Sequence, residues 1–218
     1  REGADNRFLS LKNSDNKVIT AAVNESISQV IQDGTHVSQN GFVKRRQSLQ
    51  NVVDLDSCAR ICVMSAATLN AACVDSQQIQ IAILAFFDFA AAFPSVAHSW
   101  IFIVLEAAKA PPWLVSYIRA LYSRNDTYHM NSFGKTFLYA IAARVLQGCP
   151  ASATLFVLAT NPFLIHFEQA LRGKFEGIVR ATADDVGICL ADFRSLRVVT
   201  KVFHFAKECA NLCLKPKK

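Results

Sequence analysis

Three aspartates, Asp88, Asp184 and Asp185, stand where apolar stretches of the chain end, and they are the residues best suited to chemistry. The apolar run 79–87 predicts a buried strand that ends at Asp88, and short apolar stretches on both sides of Asp184 and Asp185 predict a hairpin. Carboxylates at the ends of buried strands are costly unless a positive charge, usually a divalent metal, lies between them. Two metals that share carboxylates promote in-line phosphoryl transfer. The pattern therefore predicts a polymerase or a nuclease.

Two further segments have features of a ligand site. In residues 88–95, small side chains after the aspartate allow a nucleotide to approach the backbone, and the ring of Phe93 is placed to form the floor of a sugar pocket. In residues 147–152, Gly148 permits close approach of a ligand and the following helix start favours phosphate. The alternatives are an apolar strand-to-helix turn with an incidental aspartate and an ordinary loop-to-helix entry.

Taken together and in this order, these motifs resemble the palm motifs of reverse transcriptases, most closely those of non-LTR (LINE-type) retrotransposons. The matching positions are Asp88, Ala92 and Phe93, then Gln147 to Pro150 with Ser152, then Ala183 to Asp185. Residues 7–11 and 39–43, with Arg46 and Asn51, are similar to fingers motifs, and residues 212–218 are similar to the lysine-bearing segment after the palm hairpin. On these motifs the chain is identified as a member of that family.

The resemblance implies a role for each matching residue in an RNA-directed DNA polymerase. Asp88 and Asp184 would ligate two Mg²⁺ ions, for which Mn²⁺ can substitute, with Asp185 close by. Phe93 would act as the steric gate against a ribose 2′-hydroxyl. The other implied roles are contact with the nucleotide or template by Phe89, Gln147 and Gly148, grip on the triphosphate by Arg46, Arg7 and Lys17, and protonation of pyrophosphate by Lys218 or Lys217. The implied partners are an RNA template, a DNA primer and dNTPs, and the implied location is the nucleus.

The sequence departs from the family pattern at several positions, none of which is a predicted metal ligand. Arg45 replaces the usual glycine before Arg46, which is expected to distort the fingers loop, and the other departures are Phe8, Leu146, Ala153 and Thr182. They keep open the alternative of a catalytically impaired, nucleic-acid-binding remnant of a retroelement. A two-metal nuclease has no need for Phe93 or the Gln147 turn. In an RNA-templated RNA polymerase, a bulky Phe93 would obstruct ribonucleotides.

The elements that must position these residues predict an α+β fold. Helical patterns cover 14–31, 48–74, 97–108, 112–123, 150–171 and 194–213, and hairpins are predicted at 127–142 and around Asp184. By resemblance this is a right-hand polymerase palm, an antiparallel sheet backed by helices. We expect a fingers portion in 1–75, the palm in 76–218, and no thumb.

Composition and charge agree with a folded, intracellular protein. Of the 218 residues, 52% are hydrophobic, which argues against disorder over most of the chain. The net charge of +6 comes from residues 194–218, which suit either a polyanionic partner or a solvated helix face. The seven cysteines form no CxxC pair and predict reduced core thiols rather than zinc ligands. No stretch of the sequence predicts a membrane span.

Overall fold

The protein has an α+β fold, as predicted, in a computed structural model that describes residues 14–72, 79–123, 126–132, 134–146, 148–172 and 177–215. Arg7, Gln147, Lys217 and Lys218 lie outside these residues. The elements are, in chain order, α1 (Ser14–Asp33), α2 (Ser48–Ala71), β1 (Ile83–Phe87), α3 (Ala92–Ser95), α4 (His98–Ala107), α5 (Pro112–Tyr122), β2 (Asp126–Asn131), β3 (Gly134–Ala140), α6 (Ser152–Leu171), β4 (Gly177–Thr182), β5 (Asp185–Leu190) and α7 (Leu196–Ala210).

The central sheet is antiparallel, with strand order β1-β5-β4. The register pairs Phe87 with Val186, so Asp88 leaves β1 at the end of the sheet where β5 begins. The prediction of a buried strand over 79–87 is wrong in two respects. β1 begins only at Ile83, and its side chains alternate between half-buried and exposed, with Phe86 72% exposed. The reason is that β1 pairs with β5 on one side and faces an open cleft.

One face of the sheet packs on α6, the central helix of the core. Leu155 and Phe156 of α6 are fully buried, and alternate residues of β5, Val186, Ile188 and Leu190, belong to the same core. Because side chains alternate across a strand, this arrangement leaves the other half of β5 for the opposite face. The core therefore fixes which residues of β5 face the cleft.

The opposite face of the sheet packs on α2. Gly187 of β5 makes this packing possible, because an added Cβ would lie 2.5 Å from Leu55 Cδ1 and 3.3 Å from Phe86 Cε1. Leu55, Cys58 and Cys62 are the buried apolar residues of α2 that lie nearest β5, where they form a small second core with Cys189. Thus α2, which the sequence places with the fingers, is seated directly on the palm sheet. The predicted boundary near residue 75 stays a prediction.

The predicted amphipathic helix is present as α7, but it is shorter than the range 194–213. A 3₁₀ turn covers Phe193–Ser195, and the helix ends at Ala210 because Asn211 adopts a left-handed conformation, with φ 60°. Residues after Asn211 run back toward the carboxylates: the amide of Ala90 donates to Cys213 O at 2.8 Å. The end of the described chain is therefore part of the site.

The predicted hairpin at 127–142 is present as β2 and β3, a separate two-stranded sheet. Every residue of β3 is exposed. In the part of the chain that the structure describes, no helix is both long enough and apolar enough to cross a bilayer.

Candidate active site

The fold brings the three predicted carboxylates together. Asp185 begins β5 opposite Thr182, so that Ala183 and Asp184 form the two-residue turn of the β4–β5 hairpin. Asp88 and Asp184 line one cavity of about 140 Å³. Burial raises the pKa of the Asp185 carboxyl, and the negative charges of Asp184 and Asp88 raise it further. The three groups are therefore close enough to repel one another, which is the condition under which carboxylates bind cations well.

The turn is held by a loop from the other end of the chain, residues 35–46, which we call the bracing loop. The buried Gln39 side chain accepts hydrogen bonds from the amides of Ala183 and Gly41, both at 2.8 Å, and donates to Ala183 O at 3.2 Å. Gly41 packs so tightly that an added Cβ would lie 2.1 Å from Ala183 N. Ala183 itself has φ 58°. Such a strained residue persists only where its surroundings over-determine it, and Gln39 supplies those contacts.

Arg46 stabilises the bracing loop from within. Its guanidinium donates to the carbonyls of Thr35 at 2.9 Å, His36 at 2.6 Å and Gln39 at 2.8 Å. These bonds hold the loop under the carboxylate turn, and the triphosphate contact implied for Arg46 stays a prediction. The neighbouring Arg45 has φ 67°, in the left-handed region that favours the glycine it replaces.

Helix α2 adds a second brace on β4. Asn51 is buried and donates to Ala181 O and Thr182 Oγ1, each at 2.8 Å. One turn further on, Asp54 accepts a hydrogen bond from Arg180 Nε at 2.6 Å. Burial raises the pKa of the Asp54 carboxyl, but hydrogen bonds from Arg180 and Gln50 outweigh it, so the pKa lies below its ordinary value. Both contacts fix the strand that leads into the turn.

Phe93 lies beside the carboxylates in a fixed orientation. Its ring stacks on Phe156 with centroids 4.4 Å apart and an interplanar angle of 10°, and it meets the edge of Phe42 at 5.8 Å. Phe93 also lines the 140 Å³ cavity. Phe89 is different, because it is only 8% exposed and packs against Phe203 in the core, although part of it reaches the same cavity.

The glycine turn predicted at 147–152 lies next to Phe93. The amide of Val145 donates to Phe93 O at 2.7 Å, and this bond ties the start of the turn to α3. Gly148 is exposed and has φ 79°. Glycine adopts this backbone conformation without the steric cost that a Cβ would cause. The Ser152 hydroxyl donates to Leu146 O and closes the turn. The described part of this motif is thus placed at the site.

The structure adds one residue to the site that the sequence did not single out. Lys215 Nζ lies 3.3 Å from Asp88 Oδ2, and its amide donates to Asp88 O at 2.8 Å. Lys217 and Lys218, for which acid catalysis was predicted, come after Pro216 and lie outside the described residues. Lys17 is an exposed residue of α1, and its role in binding triphosphate stays a prediction. In the sequence, the only indication of Lys215 was its place in the lysine-bearing segment 212–218. In the structure, this segment returns to Asp88 through an isolated β-bridge between Phe89 and Leu214.

A larger cleft opens from the carboxylates between α2 and the sheet. Its volume is about 630 Å³, and its lining includes Asp88, Asp185, Arg180 and the exposed ring of Phe86. The carboxylates therefore stand between a small cavity under Phe93 and a cleft large enough for a ligand.

Comparison with known proteins agrees with this geometry. A model of the family "Reverse transcriptase (RNA-dependent DNA polymerase)" matches residues 2–218. The chain is 27% identical over 199 residues to the transposon TX1 uncharacterized 149 kDa protein of Xenopus laevis. The matched region covers 87% of this chain and 14% of that protein. It is 38% identical over 124 residues to the Pol polyprotein of the type-1 retrotransposable element R2 of Bradysia coprophila, which covers 53% and 13% respectively.

Solved structures show the same fold at low identity. Apo telomerase from Candida tropicalis, truncated from its C-terminal domain, superposes with a TM-score of 0.61 at 10% identity, covering 94% of this chain and 43% of that one. The chain thus spans about a seventh of the two curated relatives and less than half of the telomerase chain. With the converged carboxylates on a palm-like antiparallel sheet, the chain belongs to the reverse transcriptase (RNA-dependent DNA polymerase) family, as a domain of the non-LTR retrotransposon type.

Proposed function

We propose that this chain adds deoxynucleotides to a primer 3′-hydroxyl, copying an RNA template by two-metal phosphoryl transfer. The observation that carries the proposal is that Asp88, Asp184 and Phe93 line one cavity, with Asp185 close enough for its pKa to be raised by the other two charges. A polymerase site needs carboxylates and a sugar-contacting ring within one nucleotide's reach, and this arrangement supplies both.

The residues present fit a magnesium site. Carboxylate oxygens are the hard ligands that Mg²⁺ prefers. Burial raises the pKa of Asp185 most, and the charges of Asp184 and Asp88, which a cation would offset, raise it further. Asp88 and Asp184 would hold the ions, with Asp185 beside them. When bound, Mg²⁺ lowers the pKa of a hydroxyl nucleophile and stabilises the departing pyrophosphate. The bracing loop keeps the Asp184 turn in position, and the exposed Lys215 side chain can leave Asp88 as ions bind.

Phe93 would select deoxynucleotides. Its stacking on Phe156 and edge contact with Phe42 hold the ring rigidly at the cavity. A ribose 2′-hydroxyl would therefore clash with a ring that cannot move aside. The expected result is a preference for dNTPs over rNTPs in steady-state extension, weakened in Phe93→Ala. Equal use of both by the unmodified chain would count against this role and would favour RNA synthesis.

The template and primer would be held mainly through their phosphates. Arg197, Lys201 and Lys207 are exposed along α7. Phosphate contacts of this kind carry little sequence information and weaken as salt rises. The proposal therefore includes salt-sensitive, largely sequence-independent binding. By resemblance to elements that insert into chromosomal DNA, the place of action would be the nucleus.

Primer extension tests the proposal directly. The assay contains an RNA template, a labelled DNA primer, dNTPs and Mg²⁺. It compares the unmodified chain with Asp184→Asn and with Asp33→Asn, a change at an exposed position that lines neither cavity. We expect extension to fall by at least about a thousandfold in Asp184→Asn, because one metal ligand is lost, and to be unchanged in Asp33→Asn. Extension that survives Asp184→Asn would discredit the assigned site. Shortening of the label instead of extension would indicate a nuclease.

The ion pair between Lys215 and Asp88 supports a second candidate, a palm that binds nucleic acid without polymerising. An ammonium 3.3 Å from a predicted metal ligand competes with Mg²⁺ for the same oxygen. A chain of this kind would bind an RNA–DNA hybrid with the salt dependence described above and would extend no primer at any Mg²⁺ or Mn²⁺ concentration. Extension that appears only in Lys215→Ala would show that this lysine is the cause.

A further inference from the structure

Three cysteines converge at the opposite end of β5 from the carboxylates. Cys58 and Cys62 lie one turn apart on α2, and Cys189 faces them from β5. Their three sulfurs lie within 4.8 Å of one another, and the Cys58 and Cys62 sulfurs are 3.8 Å apart. All three side chains are buried, with exposures of 5%, 2% and 0%. None is in a disulfide.

The spacing of the sulfurs matches a three-coordinate centre. With bonds of about 2.3 Å from each sulfur to a central atom, the sulfurs of a three-coordinate centre lie about 4 Å apart when the centre is planar and about 3.5 Å apart when a lone pair makes it pyramidal. The sulfurs of Cys58 and Cys62, 3.8 Å apart, already lie in this range, and the separations from Cys189, which are at most 4.8 Å, need a small inward movement of that side chain. A disulfide, in contrast, needs sulfurs about 2 Å apart and would join only two of the three residues.

The surroundings decide which ion the site would accept. The side chains that pack in this small core include the apolar residues Leu55, Ala59, Ala82, Ile178 and Ala191. In the described part of the chain, no fourth histidine, cysteine or carboxylate joins the three thiols. Burial is the largest cause that raises the pKa values of Cys62 and Cys189, and the neighbouring thiols add to it. A complex with net charge would therefore be costly at this position.

We propose that Cys58, Cys62 and Cys189 form a binding site for a trivalent thiophilic ion of the arsenic(III) class. Three thiolates on a trivalent centre give a neutral complex, whereas three on Cu⁺ or Zn²⁺ leave negative charge in an apolar pocket, and Zn²⁺ also lacks its fourth ligand. With arsenous acid the exchange balances without oxidation. Three S–H bonds and three As–OH bonds break, three As–S bonds form, and three water molecules leave.

Occupation of this site would join α2 to the catalytic strand. Cys189 and Asp185 lie on the same face of β5, and Cys58 follows Asn51 and Asp54 along α2. An ion bound by all three cysteines would therefore link α2, the helix that braces β4, to β5, the strand that carries Asp185. Because the ion binds the folded arrangement better than scattered thiols, it would raise the thermal stability of the chain.

The test uses the reduced chain and arsenite itself. We expect one arsenic per chain, protection of three thiols from a thiol-reactive dye, and a rise of about 5 °C in the unfolding midpoint at a hundredfold excess over the dissociation constant. Cys189→Ala and Cys58→Ala are each expected to abolish three-thiol protection. The matched control is the double variant Cys209→Ser, Cys213→Ser, which removes a pair with the same sequence spacing and is expected to bind normally.

Several outcomes would overturn the proposal. They are protection of only two thiols in the unmodified chain, loss of binding in the Cys209 and Cys213 control, and unchanged three-thiol protection in Cys189→Ala. Tighter binding of Zn²⁺ than of arsenite would overturn the charge argument. Circular dichroism of both alanine variants keeps loss of binding distinct from loss of fold, and two substitutions on different elements make a shared folding defect recognisable. The result is independent of polymerase activity, because no readout uses primer extension.

Discussion

The two β-hairpins of this chain have the same architecture and opposite surroundings. Both are antiparallel, and the last pair before the turn is Asn131 with Gly134 in one and Thr182 with Asp185 in the other. Every residue of β3 is exposed, whereas Val186 to Leu190 of β5 are all buried. The β4–β5 hairpin is covered by α6 on one face and α2 on the other, and its turn is bonded to the bracing loop.

The contrast between the two hairpins shows where the precision of the candidate site comes from. A two-stranded hairpin in water is marginally stable by itself, so the position of a turn residue such as Asp184 must be fixed from outside the hairpin. Here the outside supports are the Gln39 side chain, the Asn51 side chain and the Asp54–Arg180 ion pair. Removing any one of these supports should lower the stability of the β4–β5 hairpin toward that of the exposed β2–β3 hairpin.

Among the three supports of the hairpin, the largest effect is expected for Gln39→Ala. The change leaves the amides of Gly41 and Ala183 without their buried acceptor, so we expect a loss of about 3 kcal/mol in the free energy of unfolding, measured in urea. Primer extension should fall at least about tenfold, because Asp184 is no longer held in place. Gln47→Ala is the control, since that side chain is exposed and makes no cap bond. Equal losses in the two variants would refute the role of Gln39.

The contact between Gln39 and the hairpin turn could not be predicted from the sequence. The helical and hairpin patterns predicted most elements, because hydrophobic periodicity is a local property. The bond between Gln39 and Ala183 joins residues 144 positions apart, and no local pattern records it. For the same reason the spacing of Cys58 and Cys62 was visible in the sequence, whereas their meeting with Cys189 was not. The exposure of β1 was missed because an apolar run indicates a strand without telling which of its sides is covered.

The second effect is expected for Asn51→Ala. The change removes the bridge from α2 to β4 and the acceptor of one buried donor, Asn40 Nδ2, but Ala181 O keeps a hydrogen bond from the amide of Asn40. We therefore expect a smaller loss than for Gln39, about 2 kcal/mol in the free energy of unfolding. Hydrogen exchange should show the amides of β4 opening more often, while those of β2 and β3 stay unchanged. Faster exchange in both hairpins would mean that the site has no support of its own.

The third effect concerns the ion pair of Asp54 and depends on pH. The pKa of Asp54 is lowered below its ordinary value of 3.8, so its contribution is fully present above that value and is lost as pH falls through the folded-state pKa. At pH 7 we expect Asp54→Asn to cost about 1 kcal/mol, with the gap to the unmodified chain closing below about pH 4. The control is Asp56→Asn, whose exposed pair with Arg60 should matter little at either pH. A gap that widens in acid would reverse the assignment.

A gain in stability is expected for Arg45→Gly. Arg45 is held at φ 67°, and glycine adopts this conformation without the steric cost, although it loses more backbone entropy on folding. The net gain should be about 0.5 kcal/mol in the free energy of unfolding. Lys44→Gly is the matched control, and it should destabilise slightly, because Lys44 is not among the residues with positive φ. A loss in Arg45→Gly would show that the arginine side chain makes a contribution greater than its strain.

The smallest effect is expected in the hairpin whose second strand is exposed throughout. Leu138 of β3 is 52% exposed, so Leu138→Ser should change the free energy of unfolding by less than about 0.5 kcal/mol. The comparison partner is Ile188→Ser on β5, a fully buried position, where about 3 kcal/mol or more should be lost. If Leu138→Ser leaves stability intact and yet weakens binding of an RNA–DNA hybrid, the exposed side chains of β3 serve an interface. The two hairpins would then have different roles: β4–β5 would position the carboxylates, and β2–β3 would contact a partner.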